Sequence, residues 1–443
     1  MYRICFLFIF MLKSSHSLEL NDDFNQNIWN VTINLADSKI FMDETEMIGF
    51  NLTGPFNDNN YFLTIKSTNP NLLIVGFDKI LINGSKEVFN GFFNLTGIFL
   101  GKTEIVFEIT SQNKSLWEQK VLINIIRRQR TIDTIFTASV AILVSLIYIN
   151  FGCALNWTDV KTTLRRPIGP IIGLSSQFFF MPLASYVLGL ILFPDDVGLR
   201  LGMFFTGVAP GGGASNMWTV ILNGNLHLSI TMTTISTIAA FVMMPLWVFT
   251  LGKTIFHSGK IPIPYAQIST YAIALVVPLL IGYLIQKYLR NVGQFLAKML
   301  KGFASVLLIF IIVFAIVVNL YLFKLFSWEL VIAGMGLPWL GYAFAWIFSR
   351  FVCRQNPKDS LTIAIETGIQ NTGIAIFLLR FTLPQPEADI TTIAPVAVAT
   401  MTPIPLFLIY IIQKIKNRRQ PEEHVNGKPP EDNVAPNYQS ITS

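Results

Sequence analysis

Long apolar segments dominate the chain from Ile132 onward, and they limit the fold more than any other feature of the sequence. Nine of them are long enough to cross about 30 Å of hydrocarbon, for which a helix needs about 20 apolar residues. They lie near 132–155, 168–193, 197–222, 228–251, 264–286, 303–323, 328–349, 360–380 and 390–413. Only 13% of the 443 residues are charged, against about a quarter in an average soluble domain. The sequence therefore predicts an all-α polytopic membrane bundle with about nine transmembrane helices.

The first 17 residues, MYRICFLFIFMLKSSHS, combine an early Arg3 with a short apolar run from Ile4 to Leu12. The alternative to a secretory signal peptide is a first transmembrane helix, for which this run is too short. We therefore expect residues 1–17 to be a signal peptide that is cleaved near Ser17.

Residues 18–130 have a different character, because short runs rich in β-branched and aromatic residues alternate with turn residues. Examples of such runs are NVTINL, YFLTIKS, NLLIVGF, KTEIVFEIT and KVLINII. Five N-x-Ser/Thr acceptors occur in the same region, at Asn30, Asn51, Asn83, Asn94 and Asn113. Acceptors of this kind, after a signal peptide, favour an exterior glycosylated domain. We predict a β-rich, sandwich-like extracellular domain over 18–130.

The distribution of Lys and Arg predicts the orientation of the bundle. The predicted interior loops and tail hold 14 of these residues, whereas the exterior loops hold five. The basic run at 127–130 lies on the wrong side for this rule, but it follows a domain that the signal peptide has already exported. We expect residues 131–413 to be the transmembrane domain of a multi-pass, plasma-membrane protein with an extracellular N-terminus.

Residues 414–443 are polar and are predicted to be a disordered cytoplasmic tail. The net charge of +6 then reflects these flanking basic residues, and no nucleic-acid partner is expected.

Glu366 is the one acidic residue that lies inside an apolar segment and not at a segment end or in a loop. A buried carboxylate needs a partner, and its segment holds no basic residue before Arg380. A bound metal ion or a proton would serve. Gln370 lies one helical turn further on the same face, and Gly368 and Gly373 would let the helix unwind and present carbonyl oxygens. Oxygen ligands of this kind suit Na⁺.

A second interruption lies upstream at TGVAPGGGASNMW, residues 206–218. An ordinary helix does not accommodate Pro210 followed by three glycines, and Ser215 and Asn216 come directly afterwards. Two broken helices in corresponding halves of a transporter indicate inverted repeats with a binding site near the membrane midplane.

Three further polar residues lie in other predicted spans. Ser229 and Thr233 have the i, i+4 spacing that places both hydroxyls on one helix face, and Gln177 lies in the second span. The alternative for the hydroxyls is a bond back to their own helix backbone.

Together the motifs SSQFFFMPL, PGGGASN, LSITMTT followed by STIAAFVMMPL, and ETGIQN resemble the bile acid:sodium symporter family over roughly 132–415. The exported β-rich region resembles a branch of that family with an added N-terminal extracellular domain. The resemblance implies a core and a panel domain, two unwound crossing helices and two Na⁺ sites, with Na⁺ as coupling ion and no organic cofactor. The first site would use Ser215, Asn216, Ser229, Thr233 and Glu366. The second would use Gln177, Glu366 and Gln370 with the carbonyls of Thr367 and Ile369. Gly211, Gly212, Gly213 and Asn371 would face the substrate.

The residues that follow ETGIQN, and the last span, do not resemble the bile acid carriers closely. The expected substrate is therefore an amphipathic organic anion, such as a bile acid or a steroid sulfate. The sequence predicts a sodium-coupled symporter that works by alternating access, as a monomer or homodimer.

Two alternatives are a non-transporting receptor or adhesion protein that uses the extracellular domain, and a proton-coupled carrier. No catalytic nucleophile–base pair, zinc motif or phosphate loop points to an enzyme.

Overall fold

The computed structural model divides the chain into two compact units, Met1–Arg128 and Gln129–Ser443. Within the range 29–419 it describes all residues except 36–37, 55–59, 78, 84–87, 112–113, 129, 155–160, 162–164, 166, 260, 297 and 299–326. The predicted signal peptide, the predicted span at 303–323 and most of the predicted tail lie outside the described residues, and they stay predictions.

The first unit, here called the β unit, contains nine described strands in two sheets. The strands are β1 (Asn30–Asn34), β2 (Lys39–Phe41), β3 (Thr45–Thr53), β4 (Asn60–Ser67), β5 (Leu73–Gly76), β6 (Ile80–Asn83), β7 (Val88–Gly97), β8 (Gly101–Ser111) and β9 (Lys114–Ile126). One sheet has the order β1-β3-β7-β5 and the other the order β2-β9-β8-β4-β6. The pairing is antiparallel except between β2 and β9. The predicted β-rich region is confirmed.

Apolar side chains from both sheets meet in one core. Along β8, buried and partly exposed residues alternate, as expected for a strand with one face toward the interior. Phe50 of the four-stranded sheet lies with its ring centroid 5.9 Å from that of Phe107 in the other sheet, and 5.8 Å from that of Phe93. These contacts show that the two sheets pack face to face.

The second unit, here called the helical unit, begins with α1 (Thr131–Ala154). It continues with α2 (Ile168–Ser175), α3 (Met181–Leu192), α4 (Val197–Val208), α5 (Ala214–Ile221), α6 (Leu226–Phe249), α7 (Leu251–Ser258), α8 (Tyr265–Ala274) and α9 (Val276–Tyr288). After the undescribed segment come α10 (Trp328–Ile347), α11 (Pro357–Gly368), α12 (Thr372–Thr382), α13 (Glu387–Ile390), α14 (Ile393–Met401) and α15 (Pro403–Arg419). Because α15 reaches Arg419, residues 414–419 of the predicted tail are helical.

Six of the predicted spans correspond to described helical segments that are long and apolar enough to cross a membrane. They are Asp133–Cys153, Ile168–Leu192, Leu226–Phe249, Tyr265–Tyr288, Trp328–Val352 and Glu387–Lys416. The predicted spans at 197–222 and 360–380 are each divided into two helices, α4 with α5 and α11 with α12. A helical bundle is confirmed, and the count of nine spans stays a prediction.

Both interruptions occur where the sequence predicts them. The helix α4 ends at Val208, and its C-cap residue Ala209 has extended backbone angles before Pro210, as the residue before a proline prefers. The helix α11 ends at Gly368, and Ile369 is again extended. Gly373, however, does not unwind the backbone as expected, because it lies in the first turn of α12.

Candidate functional site

The two interrupted segments cross and pair with each other. The backbone N–H of Gly212 donates to the carbonyl of Ile369 at 2.8 Å, and the N–H of Asn371 donates to the carbonyl of Pro210 at 2.8 Å. Gly211 and Gln370 form an antiparallel bridge between them. Backbone without helical bonds is tolerated at membrane depth only where protein groups satisfy it. Each interruption therefore supplies the hydrogen bonds that the other has lost.

Close approach at the crossing explains two of the glycines. A Cβ on Gly211 would lie 2.8 Å from Oε1 of Glu366, and a Cβ on Gly212 would lie 2.7 Å from the carbonyl oxygen of Gln370. Gly211, which we expected to face a substrate, thus lies against the carboxylate of Glu366, because the two broken helices touch there.

The carboxylate of Glu366 is buried, with 2% of the residue exposed. Its Oε1 accepts a hydrogen bond from Oγ1 of Thr233 at 2.5 Å, and its Oε2 accepts one from Oγ of Ser229 at 3.1 Å. None of the ion pairs between described residues involves Glu366. The described groups that face this carboxylate are therefore neutral hydroxyls, from Ser229 and Thr233 of α6 and from Ser215 of α5.

Ser215 and Asn216, in the first turn of α5, complete this cluster. Oγ of Ser215 lies 3.5 Å from Oγ1 of Thr233, and Nδ2 of Asn216 donates to the same Oγ1 at 3.4 Å. Oδ1 of Asn216 is buried and accepts no hydrogen bond from a described residue, which is uncommon for a buried polar atom. The structure thus brings together all five residues of the first predicted Na⁺ site. Oγ1 of Thr233 also lies 3.0 Å from the carbonyl oxygen of Ser229. Its single hydrogen can therefore be donated either to its own helix backbone or to Glu366.

The residues of the second predicted Na⁺ site lie at the crossing itself. Nε2 of Gln177 donates to Oε1 of Gln370 and to the carbonyl of Ala209, each at 2.7 Å. Nε2 of Gln370 donates to the carbonyl of Thr367 at 2.7 Å. Among the described residues, no hydrogen bond joins Glu366 to either glutamine. The side-chain set is assembled, but protein donors engage its oxygens in this conformation.

Gln177 lies in a π-helical turn, Ser176–Phe180, between α2 and α3. Single π-helical turns inside α-helices occur frequently at functional sites. The turn leaves Gln177 buried, with 3% exposed, and its amide reaches across to α11 and α12 at their interruption. The sequence motif SSQFFFMPL contains no signal for this turn that periodicity alone would reveal.

A cavity of about 80 Å³ lies beside the crossing. Its walls include Gly212, Gly213 and Asn371, as predicted for the substrate site, together with the aromatic side chains of Phe151 and Trp218. Asn371 also caps α12, because its Oδ1 accepts from the N–H of Ile374 at 3.3 Å. Pockets that enclose drug-sized ligands usually measure roughly 300–1,000 Å³. This conformation therefore has room for only part of a steroid-sized solute.

Sequence reasoning missed a polar contact that lies one helical turn before the Glu366 cluster. The backbone N–H of Asn225 donates to Oγ1 of Thr362 at 2.7 Å, and its Nδ2 donates to Oδ1 of Asp359 at 2.8 Å. Asn225 precedes Ser229 by four residues, and Thr362 precedes Glu366 by four, so the contact aligns α6 with α11 one turn from the carboxylate. Helix-capping signals were available, since Asn225 caps α6 and Asn356 caps α11, but they do not reveal that the two caps meet.

Comparisons with known proteins identify the family of the chain. A family model described as "Sodium Bile acid symporter family" matches residues 141–325. The ileal sodium/bile acid cotransporter of Cricetulus griseus is 31% identical over 268 residues, which cover 60% of this chain and 75% of that protein. The sodium-dependent organic anion transporter of Rattus norvegicus is 30% identical over 260 residues, which cover 57% of this chain and 67% of that protein.

A third relative shares more of the chain. Sodium/bile acid cotransporter 5 of Rattus norvegicus is 25% identical over 389 residues, which cover 85% of this chain and 88% of that protein. That share exceeds the helical unit, so the similarity extends into the β unit. Together with the crossed helices and the apolar spans, these matches show that the chain is a multi-pass membrane protein of the sodium bile acid symporter family.

Proposed function

We propose that the protein is a sodium-coupled symporter of an amphipathic organic anion and that it works by alternating access. One observation carries the proposal. The buried carboxylate of Glu366 lies where two broken helices cross, among neutral oxygen donors, and no described basic side chain pairs with it. The names of the relatives state sodium-dependent transport of bile acids or organic anions, which supports the same conclusion for this chain.

The first Na⁺ would be held by Ser215, Asn216, Ser229, Thr233 and Glu366. A serine or threonine hydroxyl has one donor and two acceptor lone pairs. Ser229 and Thr233 can therefore donate to the carboxylate and still offer an oxygen to the ion. Oδ1 of Asn216, for which no donor lies among the described residues, would supply an amide oxygen. A cation in this position would offset the cost of burying the charge of Glu366.

The second Na⁺ would use Gln177, Gln370 and Glu366 with the carbonyls of Thr367 and Ile369. Each carbonyl has a second lone pair beyond the hydrogen bond that it accepts. Since Oε1 of Gln370 already accepts from Gln177, loading this site requires a rearrangement of the two amides. Ion binding would thereby order the crossing, where α4 and α11 end and α5 and α12 begin.

The cavity beside the crossing offers a place for the anionic group of the solute. The backbone of Gly212 and Gly213 leads into the N-terminus of α5, and helix N-termini favour negative charge. Phe151 and Trp218 would contact an apolar ring system. Because the cavity measures about 80 Å³, binding of a bile acid or steroid sulfate requires its walls to separate. A core domain, built from inverted repeats that carry the crossing, would move against a panel domain to open the site on either side of the membrane.

The proposal includes an N-terminus outside the plasma membrane and an inward Na⁺ gradient as the energy source. Each charge that moves through the membrane potential contributes about 2.3 kcal/mol per 100 mV. Two Na⁺ with one monovalent anion carry one net positive charge, so uptake is expected to produce an inward current.

Uptake measurements in cells that express the full chain test this function. A labelled bile salt and a labelled steroid sulfate are offered in NaCl and in choline chloride at one pH. We expect uptake in NaCl but not in choline chloride. We expect Glu366→Ala to abolish this uptake while surface expression stays near the wild-type level. Equal uptake in choline, or normal uptake by the variant, would contradict the proposal. Uptake that follows pH and not Na⁺ would favour the proton-coupled alternative.

A further inference from the structure

The outer face of the four-stranded sheet carries an exposed apolar pair. Phe92 of β7 is 68% exposed and Met47 of β3 is 70% exposed, although both belong to a unit with a well-filled core. In the sheet register, Met47 lies opposite Asn94, and Gly49 lies opposite Phe92. Met47 and Phe92 therefore flank Asn94 on one face.

The ring of Phe92 lies over the neighbouring strand. A Cβ built on Gly49 would be 3.3 Å from Cε1 of Phe92, so the ring covers the position where Gly49 has no side chain. An aromatic residue that covers a glycine on the paired strand is a recurrent way to fill such a gap. In this arrangement one side of the ring rests on β3, and the residue remains largely open to solvent.

The same face carries predicted glycosylation acceptors. Asn30, Asn51 and Asn94 are exposed and point outward from β1, β3 and β7, whereas the side chain of Asn83 and the whole of Asn113 lie outside the described part of the chain. The outer face of the five-stranded sheet carries charged pairs instead, such as Lys66 with Glu108 and Lys120 with Glu118. Glycans on the first face would obstruct a protein partner there.

We propose that Asn94 carries an N-linked glycan and that Phe92 and Met47 form the platform on which its first sugar packs. Alternate residues of a strand share a face and lie about 7 Å apart, which places the ring of Phe92 beside the sugar attached to Asn94. The carbon-bound hydrogens of a pyranose ring present an apolar surface that can pack against the negative face of an aromatic ring. Covering the two side chains with sugar would remove apolar area from water.

The modification itself is a group transfer from a polyprenyl-pyrophosphate-linked oligosaccharide. The amide nitrogen of Asn94 forms a bond to C1 of the first sugar and loses one proton. The bond between C1 and the pyrophosphate oxygen breaks, and polyprenyl pyrophosphate leaves. The acceptor sequence Asn94-Leu95-Thr96 provides the required motif. The step takes place only if the β unit is exported, as its signal sequence predicts.

A double-mutant cycle on the full chain tests the platform. Glycopeptide mass spectrometry first measures occupancy at Asn94. Thermolysin cleavage of the native protein then reports the population of the opened β unit. The variants are Phe92→Thr, Asn94→Gln and the combination of both. We expect each single change to accelerate cleavage roughly two- to tenfold, the range of a typical aromatic contact. Asn94→Gln should add little once Phe92→Thr is present.

The matched control is Asn30→Gln, because Asn30 is an exposed acceptor on the same face that pairs with Thr53, four positions along β3 from the Gly49 that Phe92 covers. Its effect should be additive with that of Phe92→Thr. Trimming all glycans to the first sugar should retain the stabilisation at Asn94. An unoccupied Asn94, or additive effects of Phe92→Thr and Asn94→Gln, would overturn the proposal.

Discussion

The β unit and the helical unit distribute polar and apolar residues in opposite ways. Among its described residues the β unit buries one polar side chain, Thr103, and its core is apolar. The helical unit buries Glu366, Gln177 and Gln370 and exposes apolar residues on its outside. Water surrounds the first unit, so polarity belongs on its surface, whereas lipid surrounds the second and makes each interior polar group expensive. Buried polarity in the helical unit therefore indicates function, and the buried core of the β unit indicates stability.

Among substitutions outside the proposed Na⁺ ligands, replacing Gly212 with Ala is expected to have the largest effect on transport. The added Cβ would lie 2.7 Å from the backbone carbonyl of Gln370, so the two crossed segments must separate. Overpacking of this kind costs about 1–3 kcal/mol, and we expect Na⁺-dependent uptake to fall roughly ten- to a hundredfold. Gly336→Ala is the matched control, because its Cβ would have its nearest contact at 3.7 Å, with Leu188. Similar uptake by Gly212→Ala and Gly336→Ala would show that close packing at the crossing is not required for transport.

Replacing Asn225 with Ala should have an intermediate effect. The change removes the side-chain bond to Asp359 and the cap bond from the N–H of Leu228, but it leaves the Glu366 cluster chemically intact. A hydrogen bond of a neutral donor to a charged acceptor contributes about 1.5–3 kcal/mol. Part of this loss should appear as a several-fold higher Na⁺ concentration for half-maximal uptake, with unchanged selectivity among solutes. Ser258→Ala, which removes only a local bond to the carbonyl of Ile255, should leave the Na⁺ dependence unchanged. A selectivity change in Asn225→Ala would argue against an alignment role.

Replacing Phe50 with Ala should have the smallest effect on transport and a large one on the β unit. Phe50 contacts Phe77, Phe93 and Phe107 in the core, and its loss should reduce the free energy of unfolding of the β unit by about 3–5 kcal/mol. We expect less protein at the cell surface. Uptake per surface molecule should keep the wild-type Na⁺ dependence. A changed Na⁺ dependence would show that the β unit takes part in coupling.

The sequence predicted those parts of the fold that follow from local patterns. Six apolar spans appear as helical segments long enough to cross a membrane, and both interruptions follow from Pro210 and Gly368. The strands β3 and β7 have a weaker local signal, because Asn and Gly interrupt their β-branched and aromatic residues. The pairing of these two strands over nine residues compensates for a weak local preference, and tertiary context often overrides strand propensity in this way.

In the candidate site, too, local sequence patterns reveal single residues but not the contacts between distant segments. The residues of the first predicted Na⁺ site are recognisable, because polar groups inside apolar segments are rare. The contact between Asn225 and Asp359 is not, since 134 positions separate the two residues and only the packing of α6 against α11 joins them. Gly373 was misread as a helix breaker because glycine weakens a helix on average, whereas here the cap by Asn371 starts α12 just before it.

The central claim is that Na⁺ binds at the carboxylate of Glu366, and thermal unfolding of the purified full chain in detergent tests it most directly. Choline chloride is replaced stepwise by NaCl at constant ionic strength, for the wild type and for Glu366→Gln. A ligand that binds only the folded state raises the melting temperature with its concentration. The account predicts a rise with Na⁺ in the wild type and none in the variant. The same rise in both proteins, or no rise in the wild type, would contradict it.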